Sequence, residues 1–66
     1  MAKTTIGQKV RSRRSELSVT RERLASDIGV SVSTLARLEN SNHVPRVGTL
    51  TALAKRLSLG LDDLLG

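Results

Sequence analysis

Apolar positions in this chain come in short clusters at helical spacing, and the residues between them are the ones that start and stop helices. The central stretch, Arg21 to Asn40, reads as two short amphipathic helices joined by a tight turn at Gly29. Leu24, Ala25 and Ile28 form the stripe of the first. Thr20 suits its N-cap, and Val19 and Leu24 are placed as a hydrophobic staple. Gly29 stands where a helix commonly ends in a left-handed residue, Val30 tucks in behind it, and Ser31 can cap the next helix. That helix runs from Val32 to about Asn40, with Leu35 and Leu38 on one face. At about 100° per residue, Ser33, Ala36, Arg37 and Asn40 fall on the opposite face, which carries one cation and no large apolar group. Helices this short are marginal alone and must stabilise each other by contact; Ala25 is small enough to let their backbones approach.

The flanks follow the same logic. Met1 to Thr4 reads as a loose arm. Thr5 and Gln8 have the spacing of a capping box, so a helix starts after Thr5, with Gly7 slightly weakening its first turn. Ile6, Val10 and Leu17 share one face of it with Arg14, while Lys9, Arg11 and Arg13 point elsewhere. Ser18-Val19 is a short connection. Asn40 to Pro45 is a loop by composition. Arg46, Val47 and Gly48 lead into a fourth helix, expected to be capped by Thr49, with the stripe Leu50, Leu53, Ala54 and Leu57. Ser58 to Gly60 breaks it. A last turn, Leu61 to Leu65, places Asp62 and Asp63 at the positive end of its dipole. No repeat and no strand-like alternation interrupts the pattern, so the expected fold class is all-α, in a single domain.

Composition narrows the chemistry. With 66 residues, no cysteine, one histidine and no Phe, Tyr or Trp, the core must be aliphatic and closely packed. No ordinary structural zinc site can be assembled. His43 has no second ligand and stands in a loop, so a metal or acid–base role is not expected. No nucleophile–base pair or glycine-rich phosphate loop is visible, so no enzyme, cofactor or small-molecule ligand is expected. Nothing approaches a membrane span or a signal-peptide core; a cytoplasmic setting, close to the nucleoid in a bacterium, is expected.

Eleven Lys plus Arg oppose six Asp plus Glu, for a net charge of +5, and the pI is near 11.2. That balance favours a polyanionic partner, although a generically soluble basic domain would show it too. Eight of the eleven cations precede Ser41, on or beside the two central helices. The lack of aromatic side chains argues against single strands and RNA loops, which are usually gripped by stacking. The outward face of the helix from Val32 to Asn40, small and polar with one cation, reads as a surface to lie in a DNA groove.

At this level of detail the chain resembles the DNA-binding domain of lambdoid phage repressors and Cro proteins, a large helix-turn-helix family. The resemblance runs from Ile6 to Leu65. It rests on Val19-Thr20, Leu24-Ala25, Gly29-Val30-Ser31, Leu35 and Leu38-Glu39-Asn40, then on Leu50, Leu53-Ala54, Leu57 and Leu61-Asp62-Asp63-Leu64-Leu65. It implies a compact five-helix bundle that binds a palindromic operator as a symmetric dimer, with a regulatory role and no catalysis. By position it implies that Arg21, where the family usually has Gln, grips a phosphate. Val32, Ser33 and Arg37 match positions that meet base edges. Asn40 matches a phosphate contact, and Arg14 with Glu39 matches an inward ion pair. Val32 replaces a residue that is commonly polar, so a hydrogen bond is lost there; Ser41 stands where Gly is frequent.

Each site has a plainer alternative. Arg37 can reach guanine O6 and N7, or remain a solvated arginine. Val32 and Ala36 can pack on thymine methyls, and Val32 can equally serve the core or its rim. Ser33 can meet a base or only its own backbone. Ser31 can reach a phosphate but suits the cap better. Arg46 can reach the neighbouring strand or stay in water. Arg11, Arg13, Arg23, Lys3 and Lys9 supply field rather than contact, with Arg13 and Arg23 free to pair with Glu16 and Asp27. Val44, Pro45, Val47, Leu59, Leu61 and Leu64 are candidates for a weak dimer surface completed on DNA. The alternative to a DNA-binding repressor is an antitoxin-like or adaptor module whose main partner is a protein, which requires an exposed apolar patch larger than the dimer needs.

Overall fold

The computed structural model describes residues 4–41 and 44–65. The parts of the expected arm at 1–3 and of the expected loop at 42–43, with Lys3 and His43, lie outside the described residues. Five helices follow one another: α1 Ile6–Glu16, α2 Arg21–Ile28, α3 Val32–Asn40, α4 Val47–Arg56 and α5 Leu61–Leu65. The described residues include no strand.

The starts of α1, α2 and α3 are set by side chains. Thr5 accepts from the Gln8 N–H at 3.1 Å while the Gln8 side chain accepts from the Thr5 N–H at 2.9 Å, a complete capping box. Thr20 accepts from the Arg23 N–H and Ser31 from the Thr34 N–H, each at 3.1 Å. The fourth start differs from expectation. Helix α4 begins at Val47, its N-cap is Arg46, and no side chain caps it. Thr49 lies inside the helix. Arg46, at φ −59° and ψ 153°, makes the extended entry that Thr49 was expected to mark.

Three helix ends share one device. After α1, α2 and α4 the chain turns through a left-handed residue: Ser18 (φ 56°), Gly29 (φ 76°) and Ser58 (φ 56°). In each case the next N–H reaches back five residues: Val19 to Arg14 O, Val30 to Ala25 O and Leu59 to Ala54 O, at 2.8–3.0 Å. These are Schellman ends, and their apolar followers Val19, Val30 and Leu59 all pack against the core. The two serines adopt a conformation that costs roughly 1 kcal/mol without glycine.

The core is aliphatic: Val10, Leu24, Ala25, Leu35, Leu38, Leu50, Leu53, Ala54, Leu57 and Leu64, with Ile6 and Ile28 packed partly against it. Leu17 departs from its expected place in the α1 stripe. The helix stops at Glu16, and Leu17, its C-cap, is 39% exposed. Helix α3 packs on α1 and α2, α2 also on α4, and α5 closes over α1 and α4. The α1–α3 crossing is very close. A Cβ on Gly7 would collide with the Leu38 carbonyl oxygen and come within 2.8 Å of the Glu39 carbonyl oxygen.

Side chains from α1 fasten the far end of the bundle. Arg13 Nε donates to Leu57 O at 2.9 Å, and Lys9 Nζ to Leu64 O at 3.3 Å, placing cations on the negative ends of α4 and α5. Lys9 was expected to act through its field, and Arg13 through its field or by pairing with Glu16; neither carbonyl contact was anticipated.

Candidate nucleic-acid interface

Helix α3 is held from behind by three buried side chains, Leu35, Leu38 and Glu39. The opposite side is open. Ser33, Thr34, Arg37 and Asn40 are exposed, Val32 is 39% exposed, and Ala36 is half-buried. Val32 is therefore on the rim rather than in the core. The Arg37 side chain makes no hydrogen bond or ion pair to any other described residue, so its five donors face solvent.

A groove of about 440 Å³ runs between α3 and the start of α4, bordered by Thr34, Arg37, Leu38, Pro45, Arg46 and Thr49. It brings Arg37 and Arg46 to one feature of the surface, although they are separated in sequence by the loop. Arg46 is exposed, as is Asn40 at the end of α3. The hydroxyl of Ser31 is occupied: it accepts from the Thr34 N–H and donates to Thr34 Oγ1 at 2.8 Å. Its cap role explains it fully. The hydroxyl of Thr34, exposed and accepting from Ser31, keeps its own proton for an outside acceptor. Sequence reasoning passed over Thr34, although a threonine three residues after a capping serine is the available signal.

Arg14 and Glu39 meet. Arg14 Nε donates to Glu39 Oε2 at 2.9 Å and Nη2 to Oε1 at 3.3 Å, while Nη1 donates to Val19 O at 3.0 Å. The Glu39 side chain has no exposed surface. Arg21 is drawn to the same acceptor, with Nε at 3.3 Å and Nη2 at 3.1 Å from Glu39 Oε1. Eighteen residues separate the two, and this contact was not anticipated. Its side chain is still 33% exposed.

The remaining charges divide by location. Asp27 of α2 receives Arg56 Nε of α4 at 2.6 Å and Arg23 Nε at 3.4 Å. The hydrogen bond from Arg56 is the main reason its carboxyl is held below the usual value. Arg13 approaches Glu16 only to 3.9 Å. Arg11, Arg37, Arg46 and Lys55 have no ion pair among the described residues, and two of these four border the groove.

The expected dimer surface needs correction. Leu64 is fully buried in the core and presents nothing to a second chain; α5 rests on the bundle through it. Leu59 is half-buried against the core, and Pro45 is half-buried. Val44, Val47 and Leu61 are exposed at 59%, 78% and 43%, and Leu65 joins them at 58%. Helix α4, ten residues beginning at Val47 and rising about 15 Å, separates Val44 and Val47 from the turn into α5.

An all-helical bundle with a capped α2–turn–α3 unit and a solvent-facing α3 is the architecture of helix-turn-helix domains. The chain belongs to that family: the model described as a helix-turn-helix domain matches residues 5–65. Among solved structures, it is similar to the DNA-binding domain of the P22 c2 repressor in solution, with 32% identity and a TM-score of 0.90, covering 98% of this chain and 86% of that one. It is also similar to the P22 c2 repressor in complex with a synthetic operator, with 31% identity and a TM-score of 0.87, over 94% of both chains. The biofilm master regulator SinR in complex with DNA gives 27% identity and a TM-score of 0.86, over 94% of this chain and 100% of that one. No curated protein matches the chain by sequence. The fold is thus that of repressor DNA-binding domains.

Proposed function

We propose that this protein is a sequence-specific regulator that binds double-stranded DNA, most simply a repressor that blocks polymerase. The observation that carries the reading is the open face of α3, polar and small, with an unpaired arginine at its centre and a buried leucine face behind it. In this reading α3 enters the major groove and α2 braces across the backbone. Arg37 pairs with a guanine edge, Ser33 reaches a base, and Val32 and Ala36 meet thymine methyls. Arg21, Asn40 and Arg46 take phosphates, and Thr34 supplies the hydroxyl that Ser31 has already spent.

The P22 c2 and SinR structures hold DNA, which supports the same partner here. Val44, Val47 and Leu61, with Leu65, offer a small apolar contact for a weak homodimer completed on a palindromic operator. A cytoplasmic, nucleoid-bound location follows from that partner, and no helix among the described residues is long and apolar enough to cross a membrane.

The test is selection of bound sites from random duplex DNA at a stated salt concentration. The expected result is an enriched palindrome with half-sites about one helical turn, roughly 34–36 Å, apart. A pool that binds without enrichment removes sequence specificity, and an enriched but asymmetric site removes the dimer. Amide resonances of residues 31–40 should shift with the selected duplex; if they stay still while others move, α3 is not the reading element.

A further inference from the structure

We propose that Glu39 is a positioning residue for the phosphate grip: it fixes Arg21 by one edge of its guanidinium and leaves the other edge open to a phosphate oxygen. This rests on the DNA-binding reading above.

The donor inventory supports it. Arg14 alone neutralises Glu39, through two donors at 2.9 and 3.3 Å, and its third engaged nitrogen goes to Val19 O. A second arginine is not needed to satisfy the carboxylate. Arg21 is nevertheless present, on the oxygen that Arg14 Nη2 already uses. Two guanidinium groups thus face one carboxylate, and the cluster keeps one unit of positive charge. That excess is on the outside: the side chain of Arg21 is 33% exposed and that of Arg14 only 15%. Nη1 of Arg21 bonds no described residue, so an edge of the fork remains for an acceptor from solution. A phosphate oxygen suits that fork in charge and geometry.

The arrangement changes what binding costs. A free arginine loses its rotamer freedom when it grips an anion. Arg21 has already lost much of it in folding, because Glu39 holds it at the first residue of α2. Glu39 lies on α3, so one buried carboxylate fixes the phosphate grip relative to the helix that faces the bases. Exposed Glu22, next in sequence, repels a phosphate, which makes the placement of the Arg21 charge matter more.

A double-mutant cycle on the full chain tests this with the tightest duplex recovered from a random pool, at one fixed moderate salt concentration. Arg21→Gln is expected to weaken binding about tenfold. Glu39→Gln, assayed well below its melting temperature, is expected to weaken it about fivefold in the wild-type background and barely at all beside Arg21→Gln. If Glu39 acted only on the fold, its loss would be the same in both backgrounds, and that equality overturns the proposal. So does an Arg21→Gln variant that binds as well as the wild type. Where Glu39→Gln does not fold, Glu39→Asp replaces it in the same cycle, since it keeps the charge but withdraws it from Arg21. Additive losses remove Glu39 from the interface and leave the DNA reading standing, whereas a wild-type protein that binds no duplex overturns both.

Discussion

Gly7 and Gly48 occupy the same place in their helices, the second residue of α1 and of α4, but their surroundings differ. A methyl group on Gly48 would meet nothing within 4 Å. On Gly7 it would collide with Leu38 O, and lie 2.8 Å from Glu39 O and 2.9 Å from Glu39 C, where ordinary contact begins at 3.4 Å. Helix propensity alone says that either Gly→Ala change stabilises by about 0.5–1 kcal/mol. At Gly7 the clash opposes this gain. The obstacles are backbone atoms of α3, which cannot turn aside as a side chain would, and overpacking of this kind costs roughly 1–3 kcal/mol. The net for Gly7→Ala is a loss of about 1–2 kcal/mol, while Gly48→Ala keeps its gain. In a domain this small, about 1 kcal/mol moves the melting temperature by 4–8 °C. Thermal unfolding followed by far-ultraviolet circular dichroism should show Gly7→Ala melting roughly 5–15 °C below the wild type. Gly48→Ala should melt a few degrees above it. A Gly7→Ala protein as stable as the wild type, or two variants that shift in the same direction, would refute the close α1–α3 crossing.

Four further outcomes are expected. Arg37→Ala should cost roughly 1–3 kcal/mol of affinity for a selected site and relax preference at one base pair; equal losses on selected and random duplexes would reassign Arg37 to the backbone. Glu39→Ala should destabilise the fold by about 3 kcal/mol, at the low end for a broken buried pair because Arg14 and Arg21 keep access to water; an unshifted melting temperature would dissolve the pairing. Asp27, held below its usual pKa by Arg56, contributes stability that is present at neutral pH and lost as pH falls through the lowered value. The melting gap between wild type and Asp27→Asn should therefore be open at about pH 6 and close below about pH 4; a gap that does not change with pH would contradict this. Ser18→Gly and Ser58→Gly should each stabilise by about 0.5–1 kcal/mol, since both replace a left-handed serine; denaturant midpoints that stay put or fall would argue against those turns.

The parts of the fold that the sequence disclosed are those decided within a few residues. Thr5, Thr20, Ser31 and Gly29 mark helix limits by local hydrogen bonding or backbone conformation, and each marker is where it was expected. The stripes of α2, α3 and α4 are equally local. Thr49 misled because a good capping residue inside a helix looks the same in sequence as one at its start. Gly7 was read as a weak helix former because propensity carries no information about a neighbour reached 31 residues later. The same holds for the site. The outward face of α3 is a matter of period and was visible at once. The clustering of Arg21 on Glu39, the use of Lys9 and Arg13 on distant carbonyls, and the burial of Leu64 all depend on how the helices cross.

The separation of the two sides of α3 also bears on how such a protein can change. Ser33, Arg37 and Asn40 contribute nothing to the core, so they can be exchanged for other polar side chains while the scaffold melts where it did before. Ala36 is half-buried and Val32 is 39% exposed, so these two are less freely exchanged. With α3 as the reading element proposed above, a population of variants could drift to new targets along this one helix, each step remaining foldable and the lettering changing independently of the page.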